Sequence, residues 1–537
     1  MSKKNSKRIN IEKSEILESL SVLLNGDYSS FKFDDRFFEE SFSNFESMEE
    51  FQKSISRIHE ISTEQKKNGV FYTPADVCDY IVSNSTLNLY NKSTKEYVSY
   101  DKVVNLLVKE DFASDFIFNK TVLDPTSGTG EFLVSVFKLK LKLLSLVKKD
   151  YTDDDIALIL RTIYGNDIDS EANNITKIRL FLFATHFAGN SNPIFAESLK
   201  ENVSSFDFLN VTSNDLSSFD LIVGNPPYVE RTRVSKYGNI YADILENASN
   251  FIKENGVLGF IIPLSYVSTP RMVNIREIIE RRFEKQLITN YADRPASLFT
   301  RVHQKLSIVI AVKKSDNKSV YVSNYKYFYK DERKQLLSGS ALAELDDRYD
   351  FYPKVSNETE LSTLRKLYTE SSDNLFDCLN ITSGSTKLYL NMRGYFWNKA
   401  FSFSPGSSEY KEFHCKSELF GYLLCLLNSS IFWYFWVLTS DCWHITRKEL
   451  KSFKVVLNEN IDLKNFDSLA KKLEDKLEQT KEYIGTVQAE YAYKHKYCKD
   501  VIDEIDDSLA LLYGLDESEI KLIKNYGLQY RVGRDDE

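Results

Sequence analysis

The chain has 537 residues, 42% of them apolar, a length that calls for two or three domains with sizeable cores. Its net charge is −9, and its six cysteines are scattered, with no CxxC pair and no histidine at ligand spacing. That pattern excludes a disulfide-knit secreted scaffold, points to no metal site, and reads as the reduced thiols of a cytoplasmic protein.

The acidity is unevenly placed. Residues 1–60 hold 12 acids and 9 bases, and residues 461–537 hold 18 and 12, which leaves residues 61–460 neutral. A neutral body can carry a basic groove, so the total charge does not exclude nucleic acid. The basic start MSKKNSKRIN has no apolar run directly behind it, so a secretory signal is not expected. Residues 1–60 read as an accessory helical extension, amphipathic in IEKSEILESLSVLL.

From residue 61 to 315, apolar runs alternate with amphipathic helical patterns. Strands are predicted at Thr121–Pro125, Ile163–Asp169, Leu221–Pro227, Gly256–Pro263 and Ser307–Lys314. The alternation predicts an α/β fold with a mostly parallel sheet, whose ligands sit beyond the carboxyl ends of the strands. Ahead of the first strand, NGVFYTPADVCDYIV offers Thr73 as a helix N-cap and Pro74 as the first helical residue. The tight Gly69–Pro74 segment could also fold over a ligand. After the first strand, DPTSGTGEF sets Gly128 and Gly130 in a turn that opens a helix, where backbone N–H groups can meet a ligand. The strand itself ends in Asp124, which suits an ammonium or hydroxyl group better than a pyrophosphate.

The second strand ends in Asn166-Asp167-Ile168-Asp169. An acid there can hold the two hydroxyls of a ribose, or can simply cap the next helix. Its separation from the glycine turn exceeds the usual ~20 residues because the intervening helix is long. Asp207-Phe208 pairs a carboxylate, able to accept from a purine amino group, with an aromatic ring. In FDLIVGNPPYVE a buried strand is stopped by Asn225-Pro226-Pro227-Tyr228. Two prolines fix two φ angles and remove two donors, so the strand ends in a rigid stub.

Residues 316–460 change character, with Tyr, Phe and Ser common. From Cys378 to Ser408 there is no Asp or Glu, while Lys387, Arg393 and Lys399 stand among aromatic residues. That window reads either as a DNA-contacting surface or as a Tyr-rich half-buried sheet. Phe420–Trp443 approaches the length of a membrane span, but Asn428, Ser429 and Ser430 interrupt its centre, so two buried elements of a soluble domain are expected. Residues 461–537 are strongly helical and acidic, and could dock a partner.

The order glycine turn, strand-end acid, Asp-Phe, Asn-Pro-Pro-Tyr is far more specific than any one part. In that order the chain resembles DNA adenine-N6 methyltransferases of restriction–modification type. The similarity is to the γ order, with cofactor motifs first and a C-terminal target recognition domain, as in the TaqI-like group. It covers Gly69 to about Val312, with a weaker similarity in NLFDCLNITSGSTK and LLCLLNSSIFWYFW.

The resemblance implies a Rossmann-like methyltransferase sheet followed by an α+β recognition domain. The expected divisions are a helical extension over 1–60, a catalytic domain over 61–315, a recognition domain over 316–460 and a helical segment over 461–537. Tyr72, Thr73 and Pro74 would close over the methionine end of S-adenosylmethionine. Asp124, Thr126, Gly128 and Gly130 would form its loop, Asp167 would hold the ribose, Ile168 would pack on adenine, and Asp207 and Phe208 would meet the adenine edge. Asn225, Pro226, Pro227 and Tyr228 would carry the chemistry, with Phe299 as a second aromatic facing the target base; ordinary core packing would equally explain Phe299. Arg301, His303, Lys387, Arg393 and Lys399 are the candidate DNA contacts. The expected partners are double-stranded DNA and a restriction or defence-system protein, with no membrane. Two alternatives stay open: a partner-dependent subunit of a larger defence assembly, and a methyltransferase acting on protein glutamine or RNA.

Overall fold

The computed structural model describes residues 73–534 apart from 92, 213, 231–234, 300–301, 316–317, 347–348, 382–384, 460 and 487–488, with a few positions between 18 and 24. Tyr72, Arg301 and most of the extension expected over 1–60 lie outside the described residues.

Nine strands among the described residues make one large sheet. They are β1 (Val122–Asp124), β2 (Ile163–Asn166), β3 (Val203–Ser204), β4 (Phe219–Gly224), β5 (Ile252–Pro263), β6 (Lys285–Tyr291), β7 (Leu306–Val312), β8 (Ser319–Lys326) and β9 (Ala343–Glu344). Their order is β9-β8-β6-β7-β5-β4-β1-β2-β3. β1 to β5 run parallel to one another, while β7 lies antiparallel between β5 and β6. The chain starts in the middle at β1, steps outward to β3, then returns to β4 on the other side of β1. That reversal opens a crevice at the carboxyl ends of β1 and β4, where sheets of this kind bind ligands.

Both faces of the sheet are covered, so its strands read as continuous apolar runs rather than alternating ones. Leu221, Val223, Val257 and Ile261 pack into one core with helices α1 (Ala75–Tyr90), α2 (Glu131–Val147) and α3 (Ser170–Ala188). Their neighbours Ile222, Leu258, Phe260 and Ile262 face the other way, against α4 (Ile240–Asn250) and α5 (Val273–Arg282). This second core runs on without a break into the C-terminal half. The large sheet also continues past residue 315, through β8 and β9, so the change of architecture comes later than the composition shift suggested. Another difference is at α1, which starts at Ala75 with Pro74 in the N-cap position and no side-chain cap. Pro74 is extended there (φ −57°, ψ 142°), which leaves Thr73 outside the helix.

The C-terminal half holds a three-stranded antiparallel sheet of β10 (Ser385–Asn391), β11 (Ala400–Phe401) and β12 (Tyr410–Lys416), with β10 in the middle. Behind it lie α6 (Phe420–Asn428) and α7 (Ser430–Thr439), then α8 (Leu463–Gln479) and α9 (Lys499–Tyr513). No single helix among the described residues is long and apolar enough to cross a membrane; the stretch through α6 and α7 passes only as a pair bent by 58°. The polar residues at the break build that bend. Asn428 donates to the Ala400 and Leu424 carbonyls and accepts from the Ala400 amide, and Ser429 caps α7 by accepting from the Phe432 amide. The Asn428 amide and the Ser429 hydroxyl are buried and bonded, which is what lets them sit in an apolar core.

The acidic C-terminal helices close this core rather than standing away from it. Phe466, Leu469, Leu473 and Leu477 of α8 and Val501, Ile502, Ile505 and Leu509 of α9 are buried against α6 and α7. Their charged faces remain outside, together with Leu511 of α9. Within that core Asp506 accepts from the Ser430 amide at 2.9 Å. Burial pushes its carboxyl up to about 7, while the Ser430 bonds and the charge of Arg531 pull it down. A carboxyl with a raised folded pKa binds its proton more tightly when folded, so it lowers stability as pH rises from about 4 to 7. Asp506→Asn keeps the acceptor and removes the charge. It is expected to flatten the stability profile across that window and to stabilise the chain at pH 8 by on the order of 1 kcal/mol. Urea midpoints of the two proteins from pH 4.5 to 8 check this, and parallel profiles would refute it.

Candidate active site at the carboxyl edge of the sheet

The site is built on four strand ends. β1 ends at Asp124, which is 1% exposed and accepts from the Thr126 amide at 3.1 Å. Burial, with the Asp167 charge adding to it, pushes the Asp124 carboxyl well above the usual range. The turn that follows needs both glycines: Gly128 has φ +52° and Gly130 φ +86°. At Gly130 an added Cβ would also come within 2.8 Å of the Thr176 side chain. Helix α3 braces the turn from behind, with the Thr176 hydroxyl donating to the Gly128 carbonyl and Arg179 to the Thr129 carbonyl.

Asp167, just past β2, accepts from the Gly128 amide at 2.8 Å and from the Asp169 amide at 3.0 Å. It therefore pins the glycine turn as well as facing the crevice. Asp169, not Asp167, caps α3, accepting from the Glu171 and Ala172 amides. Ile168 is 73% exposed, an apolar side chain left uncovered at the strand tip.

Asn166 was not singled out by the sequence, yet it organises this edge. Its amide donates to the Pro125 and Phe206 carbonyls at 3.0 Å each and accepts from the Phe206 amide, while its own carbonyl accepts from Ser127. Asn166 thus ties the glycine turn to the segment carrying Asp207 and Phe208. A signal was present: it is an amide immediately before the strand-end acid. Asp207 is exposed and bonds the Leu209 amide and the Asn210 side chain. Phe208 departs from expectation: its ring is buried against Phe251 at 5.7 Å, packed in the core rather than presented to a ligand. The apolar wall beneath that segment claims it.

β4 ends at Gly224, directly before Asn225. An added Cβ at Gly224 would lie 2.7 Å from Asp124 Oδ1, so glycine is what lets the β1 and β4 ends meet. Asn225, Pro227 and Tyr228 are half-buried and Pro226 is buried. The Tyr228 hydroxyl donates to the Ile261 carbonyl of β5 at 3.0 Å, which fixes the plane of its ring. Phe299, from the link between β6 and β7, faces that ring with centroids 6.5 Å apart and planes 12° apart. Tyr241 closes a third side edge-on at 6.4 Å. The two near-parallel rings stand beside a strand-end amide, with Phe299 packed in the core at 1% exposure.

The candidate DNA contacts divide. Lys387 is exposed and paired with Glu412 at 3.1 Å, and Arg393 is paired with Glu409 at 2.8 Å. The window that lacks acids in sequence therefore receives them in space, from β12 and the turn before it. Lys399 is a correction: its ammonium donates to the Tyr493 carbonyl, and burial lowers its pKa, so it points into the protein. His303 is exposed, with Nδ1 3.2 Å from the Asp293 carbonyl. Thr73 is buried, and its carbonyl accepts from the Cys78 thiol. No His, Cys, Asp and Glu cluster among the described residues is arranged to hold a metal.

Part of this edge lies in a stretch that matches a known family. Residues 161–299 match the family described as Eco57I restriction-modification methylase, a stretch that runs from β2 to Phe299 and includes Asn225–Tyr228. Over that stretch the chain is similar to this restriction-modification methylase family. It is 28% identical over 247 residues to the Type II methyltransferase M.BanIII of Aneurinibacillus aneurinilyticus, covering 42% of this chain and 36% of that one. It is 22% identical over 305 residues to the Type I restriction enzyme MpnII methylase subunit of Mycoplasma pneumoniae, covering 52% of each. The chain spans between 12% and 52% of the length of the curated relatives it matches. Among solved structures, that of the Type IIL restriction-modification enzyme MmeI in complex with DNA has the same fold, with a TM-score of 0.55 at 13% identity over 96% of this chain and 90% of that one.

Proposed function

We propose that the chain transfers a methyl group from S-adenosylmethionine to the N6 amino nitrogen of adenine in a specific double-stranded DNA sequence, with the base turned out of the duplex, as part of a restriction–modification or related defence system. The observation that carries this reading is the slot of Asn225, Tyr228 and Phe299 beside the β1–β4 crevice. The relatives named above favour the same class.

The crevice fits the cofactor on its own features. Gly224 and Gly130 bring backbone to where side chains would intrude, Ile168 offers an uncovered apolar face for a purine, and Asp124 and Asp167 supply carboxylates for amino and hydroxyl groups. When bound there, S-adenosylmethionine supplies an electrophilic sulfonium methyl. The chain's own residues do the rest. The adenine amino nitrogen is a poor nucleophile because its lone pair is delocalised into the ring. The Asn225 side-chain oxygen and the Pro226 carbonyl accept its two hydrogens and hold the nitrogen closer to tetrahedral. Tyr228 and Phe299 clamp the base, since an adenine is unreachable inside a duplex. A base between two rings at van der Waals contact needs about 7 Å, so the rings, whose centroids are 6.5 Å apart, must part to admit it. No strong base is needed first; the proton leaves after transfer, and positioning supplies most of the rate.

Modification-sensitive sequencing of DNA from a host expressing the chain alone tests the proposal. The expected result is N6-methyladenine in one sequence context. Unmodified DNA from a chain that binds the cofactor would overturn it. A separate expectation concerns Asp167, whose removal takes away an acceptor for hydroxyls and loosens Gly128. Asp167→Ala is expected to weaken S-adenosylmethionine binding about 10-fold or more, and calorimetry showing equal affinity would reject that role.

A further inference from the structure

The link that carries Phe299 begins at Asp293-Arg294 and ends at Lys305, and at its base the catalytic sheet meets the C-terminal half. Cations and aromatic rings interleave there. Arg294 and Arg393 lie 5.5 and 5.6 Å from the Tyr395 ring, Arg393 also lies 5.4 Å from the Trp443 ring, and Lys305 lies 3.9 Å from it. Tyr395 is 43% and Trp443 38% exposed, although both are large rings beside a continuous core. Between them lies an open cavity of about 40 Å³. The nearby carboxylates are already engaged: Asp293 pairs with Lys305 at 3.2 Å, Glu409 with Arg393, and Asp441 accepts from the Trp443 and His444 amides. Arg294 is exposed and forms no ion pair among the described residues. Arg294 thus brings to the Tyr395 ring, beside the Arg393–Glu409 pair, a positive charge that no described carboxylate offsets.

We infer that Arg294 and Arg393, oriented by Tyr395, form a clamp for one backbone phosphate of the DNA strand entering the Tyr228–Phe299 slot. The inference rests on the DNA-methylating reading and adds a contact to it. The ring fixes the guanidinium planes, and the cavity below has room for a solvated phosphate oxygen but not for a base. Because Arg294 opens the Phe299 link, the same strand contact bears on the position of that ring.

Phosphate contacts are independent of sequence, so the test uses the full chain with a random-sequence duplex of about 30 base pairs, titrated between 50 and 200 mM salt. Arg294→Gln/Arg393→Gln is expected to weaken binding roughly tenfold at the low-salt end and to reduce the slope of log Kd against log salt by about 1 to 2. Arg294→Lys/Arg393→Lys is expected to restore the slope, because lysine binds phosphate as a point charge, whereas a merely structural role would not follow charge. S-adenosylmethionine affinity and melting temperature serve as folding controls. An unchanged slope in the glutamine variant overturns the clamp, as does an oligoglutamate peptide that competes as well as the duplex. Neither readout needs methyl transfer, so failure of the clamp and failure of the methylating function are separately visible.

Discussion

Asn225→Ala is expected to reduce methyl transfer by at least about 100-fold while leaving S-adenosylmethionine binding within about twofold of the wild type. The Asn225 amide stands at the end of β4, at the head of a stub whose two proline rings fix its direction. On the proposed reading its oxygen would be needed when the amino nitrogen becomes tetrahedral. Cofactor contacts would come from the β1 and β2 ends, from Asp124, the glycine turn and Asp167, so they would survive the change. Asn225→Asp keeps an acceptor oxygen but adds a charge beside Asp124, and is expected to retain more activity than alanine. Tritium transfer to host DNA, paired with calorimetry, measures both sides. Residual activity above a tenth of wild type in the alanine variant would sink the acceptor role.

Arg531→Ala is expected to cost about 3 kcal/mol of stability, measured as the shift in urea unfolding of the C-terminal half. The Arg531 guanidinium lies 3.9 Å from the ring centroids of both Trp397 and Trp433, and only 4% of the residue is exposed. Its Nε donates to the Phe396 carbonyl, and its own carbonyl accepts from the Trp397 indole. Burial lowers its pKa to about 10, so it stays charged at neutral pH. Alanine removes the cation between two rings, leaves a cavity, and takes away the charge that draws the buried Asp506 carboxyl down. Arg531→Lys keeps the charge without the planar fork, and about half of the loss is expected to remain. A loss under 1 kcal/mol for alanine would show that the slot collapses around the missing side chain.

The strand ends that carry the candidate site were largely legible in the sequence because the motifs stand where apolar runs stop. β1, β2, β4, β5 and β7 announced themselves as apolar runs, and each motif stood at the point where a run stopped. β6 and β8 did not, since Lys285, Gln286 and Asn290 break the first and Ser319, Ser323 and Asn324 the second. Those polar groups are satisfied inside the fold: Asn290 donates to the Ser323 carbonyl and accepts from Ser307. A pattern reading cannot see such partners, which are far away in sequence. The same limit applies to Phe208, where the motif gave the residue but not the direction of its ring. It applies again to Lys399 and the acid-free window. Composition along the chain says nothing about β12, which lays Glu412 beside Lys387 through pairing 25 residues away. Arg531 lay in a segment that looked like a solvated acidic helix, and only the two tryptophans around it reveal its place.

The tryptophan slot also fixes an order of events during synthesis. Trp397 and Trp433 leave the ribosome well before Arg531, which bonds back across 134 residues to the first of them. Until residues 463–513 have followed, α6 and α7, among the most apolar stretches of the chain, lack the helices α8 and α9 that cover them. The catalytic sheet has all its strands by Glu344 and can settle first. The C-terminal half is thus the last part to mature, and a nascent chain stalled short of α8 presents a bare aromatic surface to chaperones and proteases.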